Sequence, residues 1–382
     1  MTQQPGDHLP RTRPAWELLK DKILVHTRTG IRYGKSPVLA AGEHDGIILC
    51  GAGALTTADA LHRQAVEPWT VLVDPNCYDQ LATADAPFHL PGAHHHGQGS
   101  LFEDDEPDPL GFDQTVQLRR GATAGLTPTR YIPGGDRRAV RAAVRAVLDL
   151  DAEQTILTLP LDHRWLRSSD DLDFLVTTLA DVPHIKGIAL GAAANPLATK
   201  GTVAGLRRLI TGLDRVALLR TDLAGLDAYA HGALFASIGM QTSMRHVSPP
   251  GTGGPPRPTD RNVTTVVLHP QLMDYFTCDV LKDRYGNLPA PLCHCGVCCG
   301  RSLLRFDHDR TDQEEANRHN IATWLPWADD LQRTTAGAER VEVWRRLCRD
   351  AVMARQELRH ELGDPSAFET PRWLKTWAGE PD

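Results

Sequence analysis

No stretch of this chain has the roughly 18–20 consecutive apolar residues that a membrane-spanning helix requires. The polar start Met1–Arg13 lacks the apolar centre of a secretory signal peptide. No excess of positive charge is present either. The 382 residues carry a formal net charge of −7, which argues against indiscriminate nucleic-acid binding while leaving room for a local basic groove. Nor does a Gly-x-Gly-x-x-Gly turn follow the first apolar run, since Gly51-Ala52-Gly53 is only a fragment of one. Cys50, Cys77, Cys278 and Cys348 are scattered, as suits a reducing cytoplasm rather than a disulfide framework. What is left is a cytoplasmic globular protein long enough for one large barrel or two domains.

The other four cysteines lie within seven residues, in Pro291-Leu292-Cys293-His294-Cys295-Gly296-Val297-Cys298-Cys299-Gly300, and Arg318-His319-Asn320 follows. Cys293, Cys295 and Cys298 offer three thiolates, and His319 can add an imidazole from a following helix. Zinc takes four such ligands in a tetrahedron, and a closed all-protein set points to a structural ion rather than a catalytic one. Gly296 and Gly300 let the backbone turn tightly enough to aim the sulfurs at one point. The spacing leaves room for Cys299 in place of Cys298, and for His294 or His308 in place of His319. Buried free thiols or a disulfide are the competing explanations.

Upstream, short β-branched runs alternate with amphipathic stretches, the pattern of βα units around a parallel sheet. The runs are Ile23–Val25, Ile47–Leu49, Val71–Val73, Tyr131–Ile132, Ile156–Leu159, Ile188–Leu190, Val216–Leu219 and Leu234–Ala236. Eight of them at βα spacing predict an α/β fold, a closed (β/α)8 TIM barrel, rather than an open doubly wound sheet. The expected organisation is an N-terminal extension (1–22), the barrel (23–247), a Pro/Gly-rich linker (248–262), a zinc-binding subdomain (263–335) and a C-terminal helical segment (336–382). Pro87–Pro109, with His94-His95-His96 and Glu103-Asp104-Asp105-Glu106, is expected to be an inserted loop whose adjacent histidines face solvent. After the fourth run, Val140, Val144, Val147 and Leu148 make one apolar helix face. Arg137 and Arg138 at the start of that helix suit either phosphate binding or a solvated outer face. Ala338–Leu362 is predicted to be a helix packing back on the barrel through Val341, Trp344, Leu347 and Cys348.

A barrel followed by Cys-x-Cys-x-x-Cys and then His-Asn resembles the tRNA-guanine transglycosylase family, which includes queuine- and archaeosine-type enzymes and relatives acting on DNA. The resemblance spreads over roughly residues 23–327 and is strongest at Cys293, Cys295, Cys298 and His319. Val71-Leu72-Val73-Asp74-Pro75-Asn76-Cys77-Tyr78 is similar to the family's strand end, which implies that Asp74 is the general acid/base and Tyr78 the base-stacking aromatic. Gly187-Ile188-Ala189-Leu190-Gly191 resembles the segment whose backbone meets the purine, and Asp162 resembles the aspartate that reads the guanine edge, although it falls on the fifth strand rather than the fourth. In that family a carboxylate attacks the glycosidic carbon and a second acid/base moves protons on the purine, so two aspartates in different environments are needed.

The chain departs from the family where its nucleophile belongs. Gly232-Ala233-Leu234-Phe235-Ala236-Ser237 puts Ser237 or Ala236 at that place, and neither His231 nor His246 is obviously set to activate a serine. Asp222, at the end of the seventh run, could supply the carboxylate, or it could simply cap a helix. The family's backbone-binding tail is reduced to Gln241–His246, in which Arg245 is the candidate contact to nucleic acid. The resemblance therefore implies a protein that exchanges or modifies a guanine-type base in tRNA or DNA, taking a purine or 7-deazapurine and holding a structural zinc. The alternative is a relative that binds nucleic acid or a protein without turnover. A homodimer, as family members often form, is a further expectation.

Overall fold

The computed structural model of the chain describes residues 13–29, 45–64, 69–90, 108–252, 263–286 and 288–381. Eight parallel strands close into a barrel in chain order: β1 Lys22–Arg28, β2 Gly46–Cys50, β3 Thr70–Asp74, β4 Gly125–Leu126, β5 Thr155–Asp162, β6 Ile185–Gly191, β7 Val216–Thr221 and β8 Phe235–Gly239. The helix α1 Ala15–Leu19 precedes them. The connecting helices are α2 Ala54–Gln64, α3 Pro109–Arg119, α4 Arg137–Val147, α5 Ser169–Leu179, α6 Thr202–Thr211 and α7 Ala224–Ala230. The chain is thus a TIM barrel with flanking helices.

Burial on both faces explains why the strands read as unbroken apolar runs. Leu24, Ile48, Leu72, Ile156, Ala217 and Phe235 fill the barrel interior, while Ile23, Val25, Leu157, Leu159, Ile188 and Leu218 pack outward in the layer shared with the helices. Successive side chains alternate faces along each strand.

The fourth strand is not where its β-branched run predicted. Val73 and Thr155 both pair with Gly125, and Ile156 with Leu126. Tyr131 and Ile132 make only isolated bridges, to Leu81 and Leu161. The true strand is short and bears no β-branched residue, because α3 completes it. Gln117 accepts from the Leu126 N–H at 3.0 Å and donates to its carbonyl at 2.8 Å, and Gln114 donates to that carbonyl at 3.0 Å. Both glutamines are buried. Gly125 is required there, since an added Cβ would sit 2.1 Å from Gln114 Oε1. The apolar face of α4 holds for Val140, Val144 and Val147, but Leu148 lies past the helix end and is 51% exposed.

After β8 the chain stays attached to the barrel rim, where Gly191 bridges Val247. A ribbon of β9 Val266–His269 and β10 Asp274–Thr277 follows, then α8 Cys278–Tyr285, the small pair β11 Leu292–Cys293 and β12 Arg301–Ser302, and the helices α9 Arg310–Arg333, α10 Ala338–Leu362 and α11 Arg372–Trp377. As expected, α10 packs back on the barrel. The Trp344 indole donates to Asp227 Oδ1 at 2.9 Å, and this fully buried carboxylate also takes two bonds from Arg207. Ile321, Trp324, Trp344 and Trp377 join the same apolar cluster as the barrel's outer layer, so the C-terminal helices and the barrel share one core. His94–His96, Glu103–Glu106, residues 253–262 of the linker and residues 1–12 fall outside the described residues. Among the described residues no helix is long and apolar enough to cross a membrane.

Gln117→Leu leaves the Leu126 N–H buried without its partner. The expected loss is about 1–3 kcal/mol of unfolding free energy in urea titrations; an unchanged midpoint would show that β4 does not depend on α3.

Candidate metal centre and barrel mouth

The β11–β12 pair folds the cysteine segment back on itself. Gly300 N–H donates to the Cys293 carbonyl at 2.8 Å and Cys299 N–H to the Cys295 carbonyl at 2.9 Å, with Cys299 and Gly300 both at positive φ. This turn points three sulfurs at one spot, and α9 brings His319 to it. His319 Nδ1 lies 3.6, 3.4 and 3.2 Å from the sulfurs of Cys293, Cys295 and Cys298. All four ligand atoms fall within 4.8 Å of one another. A tetrahedral ion with metal–sulfur and metal–nitrogen bonds near 2.3 and 2.0 Å needs S···N edges of about 3.5 Å. The donor set therefore fits an ion without rearrangement.

The surrounding hydrogen bonds agree with that assignment. His319 Nε2–H donates to the Leu268 carbonyl at 2.8 Å, which leaves Nδ1 unprotonated toward the sulfurs. Cys298 N–H points at Cys295 Sγ, 3.4 Å away. The adjacent Asn320 accepts from Leu268 N–H at 2.6 Å and donates to the Val266 carbonyl at 2.9 Å. The His-Asn pair thus ties the cluster to β9. Three alternatives fall away. Cys299 is exposed and hydrogen-bonds the Gly296 carbonyl, His294 is exposed, and His308 lies against Cys278 and Asp279. All eight thiols are free.

At the C-terminal ends of the barrel strands a second polar assembly forms around Asp74. Its carboxylate is 1% exposed and accepts from Tyr78 Oη at 2.8 Å, Asn76 N–H at 2.7 Å and His26 Nε2 at 3.0 Å, with an Arg220 nitrogen at 3.5 Å. Burial alone would raise this carboxyl, but the His26, Arg220 and Tyr78 donors outweigh it and hold it down at about 2. Burial keeps His26 neutral by lowering its basicity, an effect only partly offset by Asp74. With Nε2–H on Asp74, its Nδ1 accepts from Ser237 Oγ at 3.3 Å, and the same hydroxyl oxygen accepts from Arg220 N–H at 3.0 Å. Ser237, at the place where the resembled family has its nucleophile, is completely buried and held on two sides.

Arg220 reaches this position through a register shift in β7 between Leu218 and Thr221. Its φ is +52°, and that of Asn76 is +53°, values at which a side chain is strained. The two strained residues meet, because the Arg220 guanidinium donates to Asn76 Oδ1 and, at 2.9 Å, to the Ser243 carbonyl. The guanidinium also lies 5.1 Å from the Tyr78 ring centre. Tyr78, which the resemblance implies as the base-stacking aromatic, is buried, with the Arg220 guanidinium over its ring.

The remaining sequence candidates lie elsewhere on the rim. Asp222 follows β7, half-buried, one residue before the N-cap Leu223 of α7, and accepts from Ala224 N–H at 2.9 Å and Asn195 Nδ2 at 3.1 Å. Burial, reinforced by Asp274, raises its carboxyl above the ordinary value despite Arg245. Asp162 closes β5 and is engaged by Tyr131 Oη at 2.9 Å and by Arg164. Gly191 ends β6, and its lack of a side chain admits Tyr131, whose ring carbon would lie 2.3 Å from an added Cβ. Arg245 is 7% exposed, with its guanidinium 3.5 Å from the Tyr275 ring centre and bonded to the Gly239 and Met240 carbonyls, so it presents no open face to a phosphate. Arg137 pairs with Asp171 at 2.9 Å on the outside of the barrel, and Arg138 is exposed beside it. His26, Asn76 and Arg220 escaped the sequence reasoning. For His26 a signal existed, since it stands two residues after the inward-facing Leu24 and must share its face.

Fold and donor set together define a TIM barrel bearing a C-terminal Cys3His cluster that can bind a metal ion. Comparison of the chain with protein-family models, with curated proteins and with solved structures finds no match in any of the three.

Cys298→Ser is expected to lower bound metal, measured by elemental analysis, and to lower Tm by about 5–10 °C. Chelation of the unmutated protein should do the same. The folded Asp74 value lies below the ordinary 3.8, so its ionised form stabilises the fold above about pH 4. That contribution, about 2 kcal/mol, disappears as the pH falls from 4 toward 2. Asp74→Asn should flatten stability against pH in that window and, by leaving Arg220 without its counter-charge, cost about 3–5 kcal/mol at pH 7. Urea titrations across pH 2–7 measure both.

Proposed function

We propose that this chain is a transglycosylase-like protein that takes a guanine-type base of tRNA or DNA at the barrel mouth, with a structural zinc in the Cys3His cluster. The observation that carries the reading is the place of Asp222 on the C-terminal rim, a half-buried carboxyl following β7 that burial pushes above the ordinary value, which suits a group that gives and takes a proton. Asp74, held well below that value, stays ionised. The sealed position of Asp74 supports a revised division of labour. A nitrogen of the incoming base bonds the glycosidic carbon as the outgoing base leaves with the electron pair of its own bond, and Asp222, half-buried on the rim, gives its proton to the outgoing base and takes the one the incoming base loses. Asp74 anchors Tyr78, Asn76 and Arg220 through fixed hydrogen bonds. Zinc, once bound, supplies cross-linking rather than chemistry, because four protein ligands leave it no open position.

A second reading, base or nucleic-acid binding without turnover, draws on one observation. Ser237 stands where the resembled family has its carboxylate nucleophile, and it is buried with its hydroxyl bonded to His26 and to Arg220 N–H. Incubating the protein with tRNA or duplex DNA and radiolabelled guanine or 7-deazaguanine separates the two. The first reading expects label in the polymer, falling at least about 100-fold in Asp222→Asn with metal content unchanged. Retained nucleic-acid binding with no label would establish the second. Full incorporation by Asp222→Asn would remove Asp222 from the mechanism.

A further inference from the structure

Away from the mouth, two cavities of about 420 and 440 Å³ flank the β9–β10 turn and share Pro270, Gln271 and Trp327. They form one bent groove. One arm runs along α10 over Leu347, Ala354 and Leu358; the other runs along α9 over Ala322 and Pro326 to Leu292, which is 58% exposed. The α9 arm is mainly apolar, the α10 arm sets its leucines and alanine beside a larger share of polar surface, and the half-buried Trp327 sits at the bend. The α10 edge carries Asp350, Glu357 and Glu361, all exposed, and among the described residues none of the three has an ion pair or a hydrogen-bond donor. Elsewhere on the same helix the opposite sign is matched, as in Glu342 with Arg345 and Arg349, or Arg355 with Asp274. Pro326 adds a second feature. It has no N–H, so α9 gives the Ala322 carbonyl no partner from that position, and Ala322 lines the groove.

We propose that this groove docks a basic amphipathic helix of a partner protein, apolar face down on Trp327, Leu347 and Leu358, with cationic side chains along Asp350, Glu357 and Glu361. Charge complementarity selects the occupant. Three unpaired carboxylates along one edge of the α10 arm repel an acidic segment and favour lysine and arginine. The span fixes the length. Asp350 to Glu361 covers 12 residues of helix, about 16 Å from first to last, which calls for roughly three turns of basic spacing on the partner. Trp327 at the bend is the anchor position, where buried aromatics carry most interface energy.

The test uses the full chain and a fluorescein-labelled 16-residue peptide with Leu and Trp at helical i, i+3, i+4, i+7 spacing and Lys or Arg elsewhere. A scrambled peptide of identical composition serves as control. Fluorescence anisotropy is expected to show saturable one-to-one binding that is at least tenfold weaker for the scrambled peptide. The triple variant Asp350→Asn, Glu357→Gln, Glu361→Gln should weaken it at least tenfold, and Leu358→Asp should abolish it, with circular dichroism unchanged in both. Equal binding of the scrambled peptide, or no effect of the triple variant, would overturn the proposal. So would sedimentation showing a dimer that Leu358→Asp dissolves, because the occupant would then be a second copy of the chain.

Discussion

Asp74 keeps a full negative charge almost out of contact with water, and the upper end of the barrel is built around that fact. A buried carboxylate persists only if donors replace the water it has lost. Four elements of the barrel supply them or hold them in place. β1 gives His26, the turn after β3 gives Asn76 and Tyr78, β7 gives Arg220, and β8 gives the Ser237 hydroxyl that takes the far side of His26. Two of these residues adopt strained backbone angles to reach their places. Strain of that kind survives only where the surroundings over-determine it, and here a closed sheet does so by fixing every strand end relative to the others.

The Cys3His cluster does comparable work at lower contact order. Its three thiols come from one turn, and a single imidazole from α9 closes the set. Because His319 and Asn320 are neighbours, one helix turn serves both the ion site and the backbone of β9. The β9–β10 ribbon is thereby fixed between the barrel and the last helices, with Arg355 of α10 reaching the Leu272 carbonyl and Asp274 from the other side. The groove along the ribbon's turn owes its shape to these same attachments.

Legibility differed sharply between the two sites. The cluster could be read from spacing, since ligands close in sequence need only a turn to converge, and the structure chose Cys298 and His319 from the alternatives. Seven barrel strands could be read because burial on both faces forces continuous apolar runs. The eighth could not. β4 has no β-branched residue, and its hydrogen bonds are completed by glutamines of a helix that precedes it in the chain. The network at the mouth was hidden for a related reason: His26 and Ser237 are 211 residues apart, and no local pattern joins them.

Composition and spacing by themselves determined the barrel class, the thiol-rich cluster and the packing helix at Ala338–Leu362, because each follows from periodicity within a few turns of chain. Tertiary structure alone decided which groups surround Asp74, that Ser237 is sealed rather than open, and that Arg245 faces inward onto Tyr275. Those outcomes depend on which strand ends meet across a closed sheet and on how deep each side chain lies below the rim. Burial and long-range pairing are properties of the closed shape, and the order of residues along the chain does not contain them in readable form.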